Sequence, residues 1–336
     1  MLTIQEIEAA CDASQPLDFS RHEMEGEELP LQQGFNPYGF PLIVRTNSPE
    51  VLQMLQDLWG CFEKRFDMEP IYGEVRVVEG DSSECPPAPS YRMTSPIVTG
   101  VADKDNYCYA DISKRTTWIT LSRSAIRNKL YAPFFFLEFL AGTHIATNYV
   151  TPVHAACVAL DGRGVLLCGD SGAGKSTLSY ACARAGWTYI SDDCSFLLNC
   201  HNDRMVTGNC YRVRFRPTAA ELFPEIAGLD LTPRAAGKPS IELPTDSINY
   251  IKRAQTVRAD FMVFVNRHSG GPQELVPYRK DVARQFMRQV LYGTKETLAA
   301  QYPAIERLLE AEVLELRYTD LDWGIERLRK LLQEGR

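Results

Sequence analysis

Along its first half the chain switches repeatedly between the two-residue period of a strand and the longer period of a helix. Phe40 to Arg45 is a short apolar run suited to a strand. Ser48-Pro49-Glu50 then reads as a helix start, with Ser48 at the N-cap and Pro49 in the first turn. Val51, Leu52, Leu55 and Leu58 follow at helical spacing. Tyr72 to Val78 alternates as a strand, and Gly80 to Ser90, with Pro86, Pro87 and Pro89, reads as a loop. Tyr107–Ile112 and Thr116–Leu121 lie either side of a polar turn and predict a hairpin or meander. From about Ser124 to Thr147 the spacing predicts one long helix. Its apolar stretch Leu130–Ala146 contains Pro133, Glu138, Thr143 and His144, too polar and too short to span a bilayer, so it reads as buried.

The pattern changes near Asn148–Pro152, which divides an α+β N-terminal domain (1–148) from an α/β domain (149–336). Val153–Leu160 and Gly164–Cys168 are apolar runs either side of Asp161-Gly162, a hairpin signal in which Arg163 leaves the loop length open. The second run leads straight into a glycine-rich segment. Leu178, Ala181, Cys182 and Ala185 then give a helix one packed face, and Gly186 stands where a C-terminal cap belongs.

That glycine-rich segment, Gly169-Asp170-Ser171-Gly172-Ala173-Gly174-Lys175-Ser176-Thr177, fits GxxxxGK[ST] at every position. Its glycines allow main-chain conformations closed to other residues, so N–H groups can approach phosphate oxygens. The helix that follows adds free donors and a partial positive charge. Lys175 supplies a full charge for the β- and γ-phosphates, and the Ser176 hydroxyl is placed for Mg²⁺. With strand, loop and helix all in sequence, residues 169–177 are expected to bind ATP with Mg²⁺.

One helix later, Thr188-Tyr189-Ile190 forms a short strand ending at Ser191, Asp192 and Asp193. That strand can lie beside the one leading into the loop, and its carboxyl end would then face the triphosphate. Paired carboxylates there divide into a metal ligand and a general base, unless they form a solvated turn. The metal set expected is Ser176 with Asp193.

His154 ahead of the loop, the sequence GDSGAGKST, and ISDD one helix and strand later together resemble the catalytic domain of the HPr kinase/phosphorylase family, and more distantly the ATP-dependent phosphoenolpyruvate carboxykinases. The resemblance implies an α/β fold of that type, a P-loop-containing catalytic domain preceded by an α+β domain. It also implies a Mg²⁺·ATP kinase in which His154, Asp192 and Asp193 sit near the γ-phosphate with Lys175. The acceptor implied is a Ser or Thr hydroxyl of a protein or peptide, and assembly into homo-oligomers is expected by the same likeness. Thr177 stands where HPr kinases carry Glu, and their glycine- and arginine-rich second signature is missing, so reverse phosphorylase activity is not expected. A small-molecule kinase and a nucleotide-binding switch without turnover are the rival readings.

Tyr211-Arg212-Val213-Arg214-Phe215-Arg216 alternates, which puts the three arginines on one strand face about 6.5 Å apart. They suit a phosphate clamp, an acidic partner or plain solvent. Thr218-Ala219-Ala220-Glu221 reads as a capping box opening a helix. Arg214, Arg216 and Arg279 are carried forward as phosphate contacts, with Arg284 and Lys238 as weaker candidates. A net charge of −7 argues against a nucleic-acid partner, and no segment argues for a membrane. The ten cysteines are scattered without a CxxC pair and read as free thiols in a reducing compartment, which speaks against zinc. The opening residues lack the basic and apolar segments of a secretory signal, so the expected location is cytoplasmic.

Overall fold

The computed structural model describes residues 29–199, 203–268 and 270–334, together with Gln5, Ala9, Asp12 and Ala13. Two compact units emerge, 1–148 with 293–295, and 149–292 with 296–336.

The first unit is built on a seven-stranded sheet in the order β1-β2-β3-β7-β6-β5-β4. Its strands are β1 Leu31–Phe35, β2 Leu42–Thr46, β3 Ile71–Val78, β4 Ser90–Thr94, β5 Ile97–Asp103, β6 Asn106–Asp111 and β7 Thr116–Ser122. Helix α1 (Pro49–Trp59) links the parallel pair β2 and β3, burying Val51, Leu55 and Trp59. Ser48 occupies the N-cap, but its hydroxyl donates to the Glu50 carboxylate at 2.6 Å instead of accepting a helix N–H. The single helix expected from Ser124 to Thr147 is a broken series: α2 Arg123–Arg127, a π-turn Pro133–Leu137, α3 Phe139–His144 and a second π-turn Ile145–Tyr149. Asn128 explains the first break, because its side-chain oxygen accepts the N–H groups of both Leu130 and Tyr131 and starts a new turn. Pro133 supplies the second, because its ring cannot continue a regular ladder and the Glu138 N–H reaches back five residues to its carbonyl.

The second unit is a mixed α/β structure on a ten-stranded sheet. Its strands are β8 Val150–Val153, β9 Ala155–Leu160, β10 Arg163–Cys168, β11 Thr188–Ser191, β12 Ser195–Leu198, β13 Met205–Gly208, β16 Lys252–Arg253, β17 Thr256–Arg267, β18 Glu274–Pro277 and β19 Glu312–Tyr318. β14 (Arg212–Phe215) and β15 (Ile241–Pro244) form a separate antiparallel pair. The helices are α4 Lys175–Arg184, α5 Lys280–Arg288, α6 Lys295–Leu308 and α7 Leu321–Glu334.

β10 shows why the centre is stable. Val165 and Leu167 point into a core with Leu178, Tyr180 and Cys182 of α4 and Leu328 of α7. Leu166 and Cys168 point into a second core with Met287 of α5 and Ile305 of α6. Both faces of the sheet are therefore covered, and a continuous apolar run is what such a strand requires. Each such aliphatic side chain, fully out of water, contributes about 1.5–3 kcal/mol.

Asp161 and Gly162 make a two-residue hairpin loop between β9 and β10, both with the positive φ (51° and 80°) that a type I′ turn demands. α4 ends in a Schellman motif: Gly186 has φ 90°, its N–H bonds to the Ala183 carbonyl, and the Trp187 N–H bonds to that of Cys182. Ala185, expected on the packed face, is the exposed cap instead. The helix is buried on more sides than one stripe, because Tyr180 also packs edge-on against Phe215 and Phe223. The helix expected at Thr218 is a short 3₁₀ turn, Pro217–Glu221, with no side-chain cap. Cys108, Cys157, Cys168 and Cys182 are buried free thiols, while Cys11 and Cys200 lie outside the described residues. Among the described residues no helix is long and apolar enough to cross a membrane.

Candidate active site

Strand order brings together residues distant in sequence. β9 lies between β10 and β11 and is antiparallel to both, so β10 and β11 run parallel one strand apart. The two are not adjacent, because the tight Asp161-Gly162 hairpin gives β9 the place beside β10. Their carboxyl ends still share one edge of the sheet. Ala155 pairs with Cys168, which sets His154 beside the start of the glycine loop, and Ser191 pairs with Cys157 on the other side. The apolar run Val153–Leu160 is interrupted at His154, where the chain leaves β8 for β9.

The loop takes the backbone its glycines allow. Gly172 and Gly174 have φ of 93° and 98°, and Gly174 caps α4 in the left-handed region. Ala173 N–H returns to the Asp170 carbonyl at 3.1 Å. Ser171 and Gly172 are exposed, while Ser176 and Thr177 in the first turn of α4 are half-buried. The N–H groups of that first turn lack intrahelical acceptors and are the donors an anion would use.

Lys175 is buried, and all three donors of its ammonium are engaged. Nζ lies 2.7 Å from the Gly169 carbonyl, 3.1 Å from that of Asp170 and 3.0 Å from His154 Nε2. Burial lowers the Lys175 pKa, and the carboxylates of Asp193, Asp170 and Asp192 oppose the shift. His154 is pushed down as well, first by burial and then by the Lys175 charge. A neutral imidazole follows at pH 7. An ammonium can only donate, so Nε2 accepts and the ring proton belongs on Nδ1. Nδ1 faces Asp193 Oδ1 at 3.6 Å. Asp193, His154 and Lys175 thus form one polar chain across the mouth of the loop, with Phe286 of α5 beside the imidazole at 6.4 Å between ring centroids.

Asp192 and Asp193 lie in the bend just past β11 and differ in exposure. The Asp193 side chain is 67% exposed. Asp192 is half-buried, and its Oδ2 accepts the Arg214 N–H at 2.8 Å. Burial is the main cause that raises its pKa to about 6; the Arg214 N–H opposes this and the Asp193 charge adds to it. Ser176 Oγ donates to the Asp192 main-chain carbonyl at 3.3 Å, which ties the helix start to the paired acids. A serine hydroxyl and the exposed Asp193 carboxylate are hard-oxygen donors, the kind Mg²⁺ uses together with phosphate oxygens. Among the described residues no group of three or more His, Cys, Asp or Glu is placed to hold a metal alone.

Ser191 of the ISDD segment, with Ser195 and Gly208, which no motif marks, holds the acids in place. Ser195 Oγ donates to the Ala155 carbonyl at 3.0 Å, so the Ser191 hydroxyl supplies the proton of the 2.7 Å Ser191–Ser195 bond. This staple joins the Asp192–Asp193 turn to the His154–Ala155 segment. Gly208 of β13 packs against its base, where an added Cβ would meet Ser191 Cβ at 2.6 Å and the Ile190 carbonyl at 3.0 Å. Gly208→Ala is expected to displace the turn, lower activity several-fold and cost about 1–3 kcal/mol as an overpacking change. Urea unfolding beside a rate measurement checks it; full activity would show that the turn is not held from below.

The remaining candidates stand elsewhere or are already paired. Arg212 and Arg214 share the outward face of β14, with Val213 and Phe215 inward, while the strand ends before Arg216, which is the N-cap of the 3₁₀ turn that follows. Arg212 and Arg214 both bond to Glu242 across the hairpin, at 3.2 and 3.1 Å, while Arg216 is exposed. At Asp192 it is the main chain of Arg214 that makes the contact. Arg279 is the N-cap of α5, 77% exposed and bonded to Asp281, and Arg284 is held by Glu306. Lys238 is an exposed loop residue.

These features define a mixed α/β unit with a glycine loop, a buried lysine and paired acids on one sheet edge. A family model described as "ScmC: SynChlorMet cassette protein ScmC" matches residues 142–239. Among solved structures the chain is similar to the Hpr(Ser) kinase/phosphatase from Coxiella burnetii, at 13% identity over 55% of this chain and 98% of that one, with a TM-score of 0.28. No curated protein matches.

Proposed function

We propose that the second unit is a Mg²⁺·ATP-dependent phosphotransferase of the HPr-kinase-like type, acting on a hydroxyl of a protein or peptide. The observation that carries this reading is the convergence of Lys175, His154, Asp192 and Asp193 at the mouth of one glycine loop. The loop amides and the α4 N-terminus receive the triphosphate, and Lys175 turns from the loop carbonyls toward the β- and γ-phosphates. Ser176 and Asp193 are the residues to hold Mg²⁺, which when bound neutralises charge on the phosphate oxygens. Asp192, with its pKa near neutrality, accepts the proton of the attacking hydroxyl. The acceptor oxygen forms its bond to the γ-phosphorus, the bond to the β-phosphate oxygen breaks, and ADP leaves. His154 as its Nδ1–H tautomer orients Asp193 and keeps Lys175 in line.

Transfer from γ-labelled ATP with Mg²⁺ into size-fractionated host lysate tests the proposal, with Lys175→Met as control. Label on a protein or peptide, absent with the variant, is the expected result. Label on a small molecule would replace the acceptor class, and ATP binding without any transfer would leave a nucleotide switch in its place.

A further inference from the structure

Tyr318, the last residue of β19, is fully buried, yet its hydroxyl has no hydrogen-bond partner among the described residues. The hydroxyl is aimed at the glycine loop: a Cβ added at Gly174 would stand 3.5 Å from Tyr318 Oη. Gly174 is the N-cap of α4 and immediately precedes Lys175. The ring is gripped from the other side by α7, where a Cβ added at Gly324 would lie 3.3 Å from Tyr318 Cδ2. Two glycines thus seat one phenol, and the phenol's polar atom is the part left unmatched. A buried hydroxyl without a partner is unfavourable and calls for an explanation. Arg267 faces Tyr318 in the parallel register of β17 and β19, is exposed, and adds positive charge at the same edge of the sheet. Burial holds the phenol's pKa up at about 12, so at neutral pH the hydroxyl is an intact donor.

From this geometry we infer that Tyr318 is a positioning residue of the loop, whose hydroxyl takes a loop main-chain carbonyl as its acceptor when a polyphosphate seats. The inference rests on reading residues 169–177 as a phosphate site. That reading also supplies the moment of exchange: Lys175 must release the Gly169 and Asp170 carbonyls to reach a phosphate, so the loop's internal hydrogen bonds are redistributed then. A donor standing ready behind Gly174 steadies the new arrangement.

Tyr318→Phe removes the hydroxyl and nothing else. Its nucleotide-free Tm is expected to equal or exceed that of the wild type, because an unmatched polar atom has gone. Its Kd for Mg·ATP and for pyrophosphate, by titration calorimetry, should rise roughly fivefold, the worth of one ordinary neutral hydrogen bond. Hydrogen exchange should show less ATP-induced protection of residues 170–176 in the variant. Unchanged affinity for both probes overturns the inference, as does a lower nucleotide-free Tm, which would mean that the hydroxyl is already satisfied without a ligand. A wild-type protein that binds neither probe overturns the phosphate-site reading, and this inference with it. Equal binding by the wild type and Tyr318→Phe overturns this inference alone.

Discussion

Asp192→Asn lowers the rate of phosphoryl transfer by about 10²- to 10⁴-fold, the range for loss of a general base, while Mg·ATP binding stays within a few-fold. The substitution is nearly isosteric. An asparagine side-chain oxygen can still accept the Arg214 N–H that Asp192 Oδ2 accepts at 2.8 Å, so the turn keeps its anchor. The pH profile sharpens the test. Burial raises the Asp192 pKa from the ordinary 3.8 to about 6, so the wild-type rate should fall tenfold per pH unit below about 6. The variant should lack that limb. Stability runs the other way. The folded pKa exceeds the unfolded one, so this carboxyl favours the folded state most below pH 4, and the advantage is lost as pH rises through about 6. Asp192→Asn should therefore melt close to the wild type at pH 4 and no lower than it at pH 7. A variant that keeps its rate, or keeps the acidic limb, would assign the base to another residue.

Legibility in the sequence followed the range of the determining interaction. The glycine loop, the hairpin at Asp161-Gly162 and the cap at Gly186 each depend on residues within a few positions, and each was readable. The alternation that puts Arg212 and Arg214 on one face is also readable, but their shared partner is not. Glu242 lies across a hairpin whose strands are separated by the loop 216–240, and nothing local announces it. Strand order is non-local in the same way, and the expectation that β11 could lie beside β10 missed the intervening β9. The broken helix after Ser122 is partly legible, since Pro133 is a visible breaker, but nothing in the local sequence marks Asn128 as a mid-segment cap. Ser195 and Gly208 carried no signal at all. A serine staple and a glycine under a turn look like ordinary strand residues until the strands are paired. The convergence of His154, Lys175 and Asp193 is visible only in three dimensions, whereas each residue was marked in one.

Lys175→Met separates charge from shape. Methionine approximates the apolar stem and deletes the ammonium, which now bonds to two loop carbonyls and to His154 Nε2. Transfer should fall by about 10²- to 10³-fold, the loss found when one preorganised charge or donor is taken from a developing transition state. A local readout tells this apart from general damage. The Lys175 charge disfavours protonation of His154, second only to burial, while Asp193 favours it. Deleting the charge leaves burial alone against the carboxylate's pull, so the His154 pKa should rise, as followed by NMR of its ring protons. The neutral Nε2 also loses its donor, which lets the imidazole gain a proton and pair with Asp193 as a cation. If activity fell without any change in the His154 titration, the Lys175–His154 contact would not persist in solution. The site would then be a loop and an acid pair without the histidine between them.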